Sequence, residues 1–201
     1  MDFVDVVKKR RMVRNFTDEP VDPEVVARML DLARRAPSAG FTQGQSFVVI
    51  TNPEKRQKIA EICGEQHYAK AGYGNWISKA PVMVIPCTSE AAYHRRYQEA
   101  DKVDDEGNEI YWPVPYWYMD IGCGVMTLLL AVVNEGLAAG FAGPGFQGPE
   151  DAAKFRQLLN MPEEVMPVGV IPIGHPAPDK RSTSLKRGRK GESDVIHYES
   201  W

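Results

Sequence analysis

Cysteine is scarce: there are three in 201 residues, Cys63, Cys87 and Cys123, with no CxxC pair among them. A disulfide framework and a zinc-ribbon site are therefore not expected; reduced thiols in a cytoplasmic protein are. Long apolar runs are also missing. The longest, residues 121–133, extends thirteen residues before Asn134 and Glu135 interrupt it. That is too short for a bilayer and suits a helix buried on nearly all sides. The opening MDFVDVVKKRR mixes acid, apolar and base instead of placing an apolar run behind a positive start, so no secretory leader is expected. Neither sign of charge dominates, with 24 Lys+Arg against 27 Asp+Glu and a net charge of −3. This disfavours a globally basic binder of nucleic acid. No internal repeat or Gly/Ser/Pro-rich linker divides the chain, and one domain over residues 1–201 is expected.

The composition, 43% hydrophobic and 25% charged, is that of a folded chain. Spacing predicts a short amphipathic helix over residues 2–11. A second helix opens at Asp22-Pro23-Glu24, an N-cap acceptor followed by proline at the first helical position, and ends near Arg35. Residues 46–51 and 81–86 read as buried strands. Asn52-Pro53 opens a further helix, residues 119–136 form the apolar one, and 149–160 another. Glycine and proline leave 137–146 extended or looped, and the prolines within 165–174 place that strand at an edge or mark a bulge. Strands separated by helices indicate an α+β or α/β layer fold. The tail from His175 is too polar to bury itself, yet Val195, Ile196, Tyr198 and Trp201 give its far end apolar anchors. It is expected to lie across another subunit.

The charge is distributed unevenly. Lys8, Lys9, Arg10, Arg11 and Arg14 crowd the start, and six more cations fall between residues 180 and 190, so eleven of the 24 sit at the two ends. Arginine's planar fork suits phosphate, and Arg10 and Arg14 would share a helix face. A solvated basic surface at a helix C-terminus is the plainer reading. Three further stretches are each ambiguous alone. Residues 36–45, APSAGFTQGQ, offer small and amide groups to a polar ligand or merely connect helix to strand. Gly143-Pro144-Gly145-Phe146 admits a flat ligand to the backbone or makes a tight turn. Leu185-Lys186-Arg187-Gly188-Arg189 contacts an anion or is a charged tail.

Taken in order, RRMVRNF, APS, GPGF and GHP followed by a basic pair resemble the nitroreductase family of flavoproteins over nearly the whole chain. The resemblance implies a three-layer α+β fold, with a mostly antiparallel sheet between helices, in an intertwined homodimer with FMN at the subunit interface. It implies that Arg10, Arg11, Met12 and Arg14 surround the FMN phosphate and ribityl chain, and that Arg187 and Arg189 close on the phosphate. Ser38, Ala39 and Phe41 match a loop that reaches the flavin from the partner subunit; Gly143, Pro144 and Gly145 match the segment against its ring. The family often has Ser at position 12 and Asn at 41, and Pro144 carries no N–H to face the ring.

The implied activity is hydride transfer from NADH or NADPH through the flavin to a nitroaromatic, quinone or similar small acceptor by a ping-pong mechanism. It requires no catalytic nucleophile or base and no metal. Residues 88–118 match a variable substrate-side segment, where Tyr111 and Trp112 either shape an aromatic-substrate site or pack a dimer interface. The alternatives are a flavin-binding storage or sensing module without turnover, and a specialised member that dehalogenates, fragments flavin or uses a deazaflavin. No nucleic acid or membrane partner is expected.

Overall fold

The computed structural model describes residues 1–144 and 148–201. Its centre is β2 (Val82–Thr88), buried along its whole length. β1 (Gln45–Ile50) pairs with it antiparallel, Gln45 opposite Thr88 and Ile50 opposite Met83. On its other side lie β4 (Met166–Pro167) and β5 (Ile171–Gly174), and β3 (Ala138–Ala139) completes the sheet beyond β5.

Because side chains alternate across a strand, β2 divides the core. Met83, Ile85 and Cys87 face one cluster with Ile59, Trp76, Ile77 and Phe155, drawn from α3 (Pro53–Ile62), α5 (Trp76–Lys79) and α8 (Pro149–Leu159). Val82 and Val84 face the other, with Val26, Met29, Ile121, Leu128 and Val132, from α2 (Pro23–Ala33) and α7 (Tyr116–Asn134). Helices thus cover both faces of an antiparallel sheet, the three-layer α+β arrangement expected.

Local chemistry explains the elements that sequence reasoning placed. Asp22 accepts from Glu24 N and Asn52 from Lys55 N, with proline in the first turn of both helices. α1 (Phe3–Lys9) is a residue or two shorter at each end than expected. Three further helices are short: α4 (Glu65–Lys70), α5 and α6 (Glu90–Tyr97). The buried Glu65 carboxylate holds the first of these to the second, accepting from Ile77 N at 2.6 Å, Ser78 N at 2.9 Å and Ser78 Oγ at 2.7 Å.

The strand expected over 165–174, at an edge or bulged, is split in two: β4 pairs only with β2, whereas β5 lies between β2 and β3. Residues 168–170 oppose only 85 and 86 between the Cys87–Pro167 and Val84–Ile171 pairs, a one-residue bulge. One expectation needs correction. The apolar helix starts three residues earlier than expected, at Tyr116, and is not buried on nearly all sides. Tyr118, Met119, Gly122, Cys123 and Met126 are exposed along one stripe. At 19 residues it is long and apolar enough to cross a membrane, but half of it packs against α2 and the sheet, and the buried Asp120 lies within it.

Candidate functional site

Residues 12–17 follow α1 as an extended run laid along the sheet. Met12 bridges to Ala139, and Val13 N donates to Ala139 O at 2.9 Å. The run is also stitched to the start of the C-terminal arm: Thr17 N donates to His175 O at 3.0 Å, Ala177 N to Asn15 O at 3.1 Å, and Asn15 Nδ2 to Pro178 O at 2.8 Å. This brings the two basic ends of the sequence together.

Between them is a cavity of about 370 Å3 lined by Arg10, Arg11, Met12, Arg14, Arg181, Ser182, Leu185 and Arg189. Its charges are not equivalent. Arg11 Nη1 lies 2.8 Å from Asp179 Oδ1, and the Asp179 side chain is 4% exposed. Asp179 also accepts from Arg14 N at 3.0 Å. Among the described residues, Arg10, Arg14, Arg181 and Arg189 form no ion pair. The Arg14 guanidinium rests over the rings of Tyr73 at 5.2 Å and Trp76 at 5.7 Å. Aromatic faces thus hold its position without neutralising it.

Met12 also lines a second, apolar hollow of about 410 Å3, with Tyr118, Ile121, Gly122, Val125, Met126, Leu129, Phe141 and Val168. Tyr118 and Val168 continue into a third of about 420 Å3, reaching Pro144, Ala152, Arg156, Met166 and Pro167. A trough therefore runs from a cluster of uncompensated cations, past Met12, along the bare stripe of α7 to the segment at Pro144. Its shape and polarity suit a ligand with a phosphate at one end and a flat, largely apolar ring at the other.

The remaining sequence-identified residues are placed as follows. Arg187 ends a 3-10 turn over Thr183–Arg187 and does not line the basic cavity. Gly143 is exposed, with open space where a Cβ would be, and Gly145 lies outside the described residues. Ser38, Ala39 and Phe41 line none of the three hollows. Their loop is nevertheless tightly built. Ala39 N donates to Asp120 Oδ2 at 2.8 Å and Gln43 N to Ser38 Oγ at 2.9 Å. Gly40, Phe41 and Gln43 all have positive φ, and Phe41 is 76% exposed.

Tyr111 is exposed, and Trp112 packs with its own chain, 4.4 Å from the Tyr97 ring centroid, while its indole N–H donates to Glu109. Neither lines the trough. Cys63 and Cys87 are buried, which pushes both thiols up to about 12 and leaves them poor nucleophiles. No group of three metal-ligating side chains occurs among the described residues. Sequence reasoning missed Asp179, Arg181, Ser182 and Phe141. Arg181 was visible only as one cation in a run, and the acid preceding that run was the available signal for the tether.

A sequence profile of the nitroreductase family matches residues 7–175, and the chain belongs to that family. Among curated relatives, a protein of Methanothermobacter thermautotrophicus, provisionally named an NADH dehydrogenase/NAD(P)H nitroreductase, is 28% identical over 201 residues, 100% of this chain and 88% of the relative. The iodotyrosine deiodinase of Nematostella vectensis is 28% identical over 92% of this chain and 71% of its own. The FMN reductase [NAD(P)H] of Bacillus subtilis is 27% identical over 95% and 71%. The fold matches that of a nitroreductase family protein from Streptococcus pneumoniae, with a TM-score of 0.74 at 23% identity, covering 98% of this chain and 100% of the other.

Proposed function

We propose that this chain is an FMN-dependent oxidoreductase that oxidises NADH or NADPH and reduces a nitroaromatic, quinone or similar acceptor in alternating half-reactions. Over the cycle the nicotinamide gives up a hydride, solvent supplies a proton, and the acceptor gains two electrons. The observation that carries this reading is the set of guanidinium groups without carboxylate partners, opening past Met12 onto an apolar trough. Bound FMN supplies a ring that takes hydride from the donor and gives it to the acceptor.

The chain's own residues bind and orient. Arg10, Arg14 and Arg189 hold the phosphate dianion; Met12, Phe141 and Val168 provide apolar wall. Pro144, with no N–H, cannot donate to the ring, so that task falls to a neighbouring glycine. No side chain is assigned as nucleophile or base.

The working unit is a homodimer, formed as a single domain with residues 88–118 on the substrate side and 175–201 as an arm over the partner. Support comes from the exposed stripe of α7 and from Val195, Ile196, Tyr198 and Trp201, all exposed on the isolated chain. In the dimer, the strained loop at Ser38, Ala39 and Phe41 meets the flavin of the other copy. Free thiols suit the cytoplasm.

Similarity to a deiodinase favours a second reading, reductive removal of halogen from a halophenol with the same reductant. The deciding measurement is the visible spectrum of the purified chain. A yellow protein that bleaches anaerobically with NADH or NADPH, and recovers on adding a nitroaromatic or quinone, supports the main reading; recovery only with a halophenol supports the second. A colourless protein that takes up no added FMN refutes both.

A further inference from the structure

Two polar residues of the arm, Arg181 and Ser182, line the basic cavity and lie outside the family's motif. Their neighbours hold them there. Asp179, two residues before Arg181, is clamped by Arg11 Nη1 at 2.8 Å and Arg14 N at 3.0 Å. Lys180 Nζ donates to Ala71 O at 2.8 Å and lies 5.1 Å from the centre of the Tyr73 ring, the ring that also carries Arg14. On the following side, Ser182 Oγ caps the 3-10 turn by accepting from Ser184 N at 3.2 Å. That bond uses a lone pair and leaves the hydroxyl hydrogen free to donate.

The charges then divide into two sets. Arg11 is neutralised by a buried carboxylate, whereas Arg181 shares the cavity with Arg10, Arg14 and Arg189 and has no anionic partner among the described residues. Met12 brings only a thioether to the same wall, so Ser182 is the hydroxyl-bearing residue of the lining. Like charges gathered without counter-charge repel one another unless an anion joins them, and an arm anchored at Asp179, Lys180 and Ser182 lowers the ordering that binding requires.

We propose that Arg181 and Ser182 are direct ligands of a phosphate monoester in this cavity, and that Arg11 is the tether that holds the arm rather than an anion ligand. The identity of that phosphate as FMN's rests on the function proposed above; the assignment of the ligands does not.

The test uses the full chain freed of flavin and titrated with FMN and riboflavin, followed by flavin fluorescence. Arg181→Met is expected to weaken FMN about 10- to 100-fold, the range of a charge-assisted hydrogen bond, and riboflavin less than about twofold. Ser182→Ala is expected to weaken FMN about 3- to 10-fold, and Arg181→Lys to recover part of the loss. Arg11→Met is expected to speed tryptic cleavage of the arm and to weaken FMN less than Arg181→Met does. An FMN affinity unchanged in Arg181→Met, or a parallel loss for riboflavin, overturns the proposal. Thermal melts in inorganic phosphate decide the case independently of flavin. If the native chain binds no flavin, the FMN reading fails, yet a phosphate-dependent rise in Tm that Arg181→Met abolishes still supports these ligands. A rise equal in both chains overturns them.

Discussion

The Tyr93 hydroxyl donates to Asp120 Oδ2 at 2.8 Å, and that same oxygen accepts from Ala39 N at 2.8 Å. One buried carboxylate in α7 thus ties down both α6 and the loop carrying Ser38 and Phe41. Burial, reinforced by the bond to Asp120, raises the Tyr93 pKa above its ordinary value, so the phenol remains a donor throughout the neutral range. Tyr93→Phe removes one of the two hydrogen bonds to the buried Asp120 side chain. It is expected to destabilise the fold by about 1–3 kcal/mol, measured by urea denaturation, and to increase hydrogen exchange at residues 38–44.

A pH dependence is expected in the segment 98–112. His94 Nδ1 lies 2.6 Å from Glu109 Oε1, and that hydrogen bond raises the His94 pKa above 6.5, with Glu90 adding to the effect. Burial alone would raise Glu109, but hydrogen bonds from Trp112 and His94 outweigh it and hold the carboxyl below 4.5. Raised in the folded state, the histidine's contribution is complete below its unfolded pKa and is lost as pH rises through the folded one. The carboxyl's contribution is present above its unfolded pKa and is lost as pH falls through its folded one. The segment is therefore tightest between about pH 4.5 and 6.5. An NMR titration should place the His94 midpoint above 6.5 and return it toward that value in Glu109→Gln; an unchanged midpoint in the variant would contradict the pairing.

Gly140 carries the close approach of the N-terminal run to the sheet. A Cβ there would lie 2.3 Å from Trp76 Cζ3 and 2.8 Å from the backbone oxygen of Val13. Backbone cannot swing aside as a side-chain tip can, so Gly140→Ala is expected to cost about 1–3 kcal/mol in stability. The displaced run includes Met12 and Arg14, so FMN affinity should fall together with the urea midpoint.

The bare stripe of α7 has room to be tested from the surface. A Cβ on Gly122 meets nothing of its own chain within 4 Å, and Met126 is exposed. Met126→Lys leaves the isolated fold unstrained but places charge on the stripe. Light scattering coupled to size exclusion is expected to show a dimer for the native chain and a monomer for this variant. Two dimers of equal strength would move the interface elsewhere.

Much of this was legible in the sequence where a local signal dictates geometry. Asp22-Pro23 and Asn52-Pro53 announce their helices, and the two β-branched runs mark β1 and β2. The convergence of the basic ends followed from motif order. What local signals could not show was partnership at a distance. α6 reads as a polar helical stretch because polar side chains make its contacts: Tyr93 with Asp120, Arg95 with Glu164 and Arg96 with the Gly40 carbonyl. Pro172 looked like an edge residue, yet its carbonyl still accepts from Gly140 N at 3.0 Å, which lets it sit inside the sheet. Trp112 looked available for substrate, but Tyr97, Tyr93 and Trp117 surround it. The uneven roles of Arg11 and Arg181 depended on where a single acid, Asp179, falls in three dimensions.

The tether between Arg11 and Asp179 joins positions 168 residues apart. During synthesis, the sheet and both of its helical layers can close before the second half of the basic cavity leaves the ribosome. On the ligand assignment proposed above, loading of the cavity waits for the arm. A chain damaged only in its arm is then expected to keep its core and to lose its hold on phosphate.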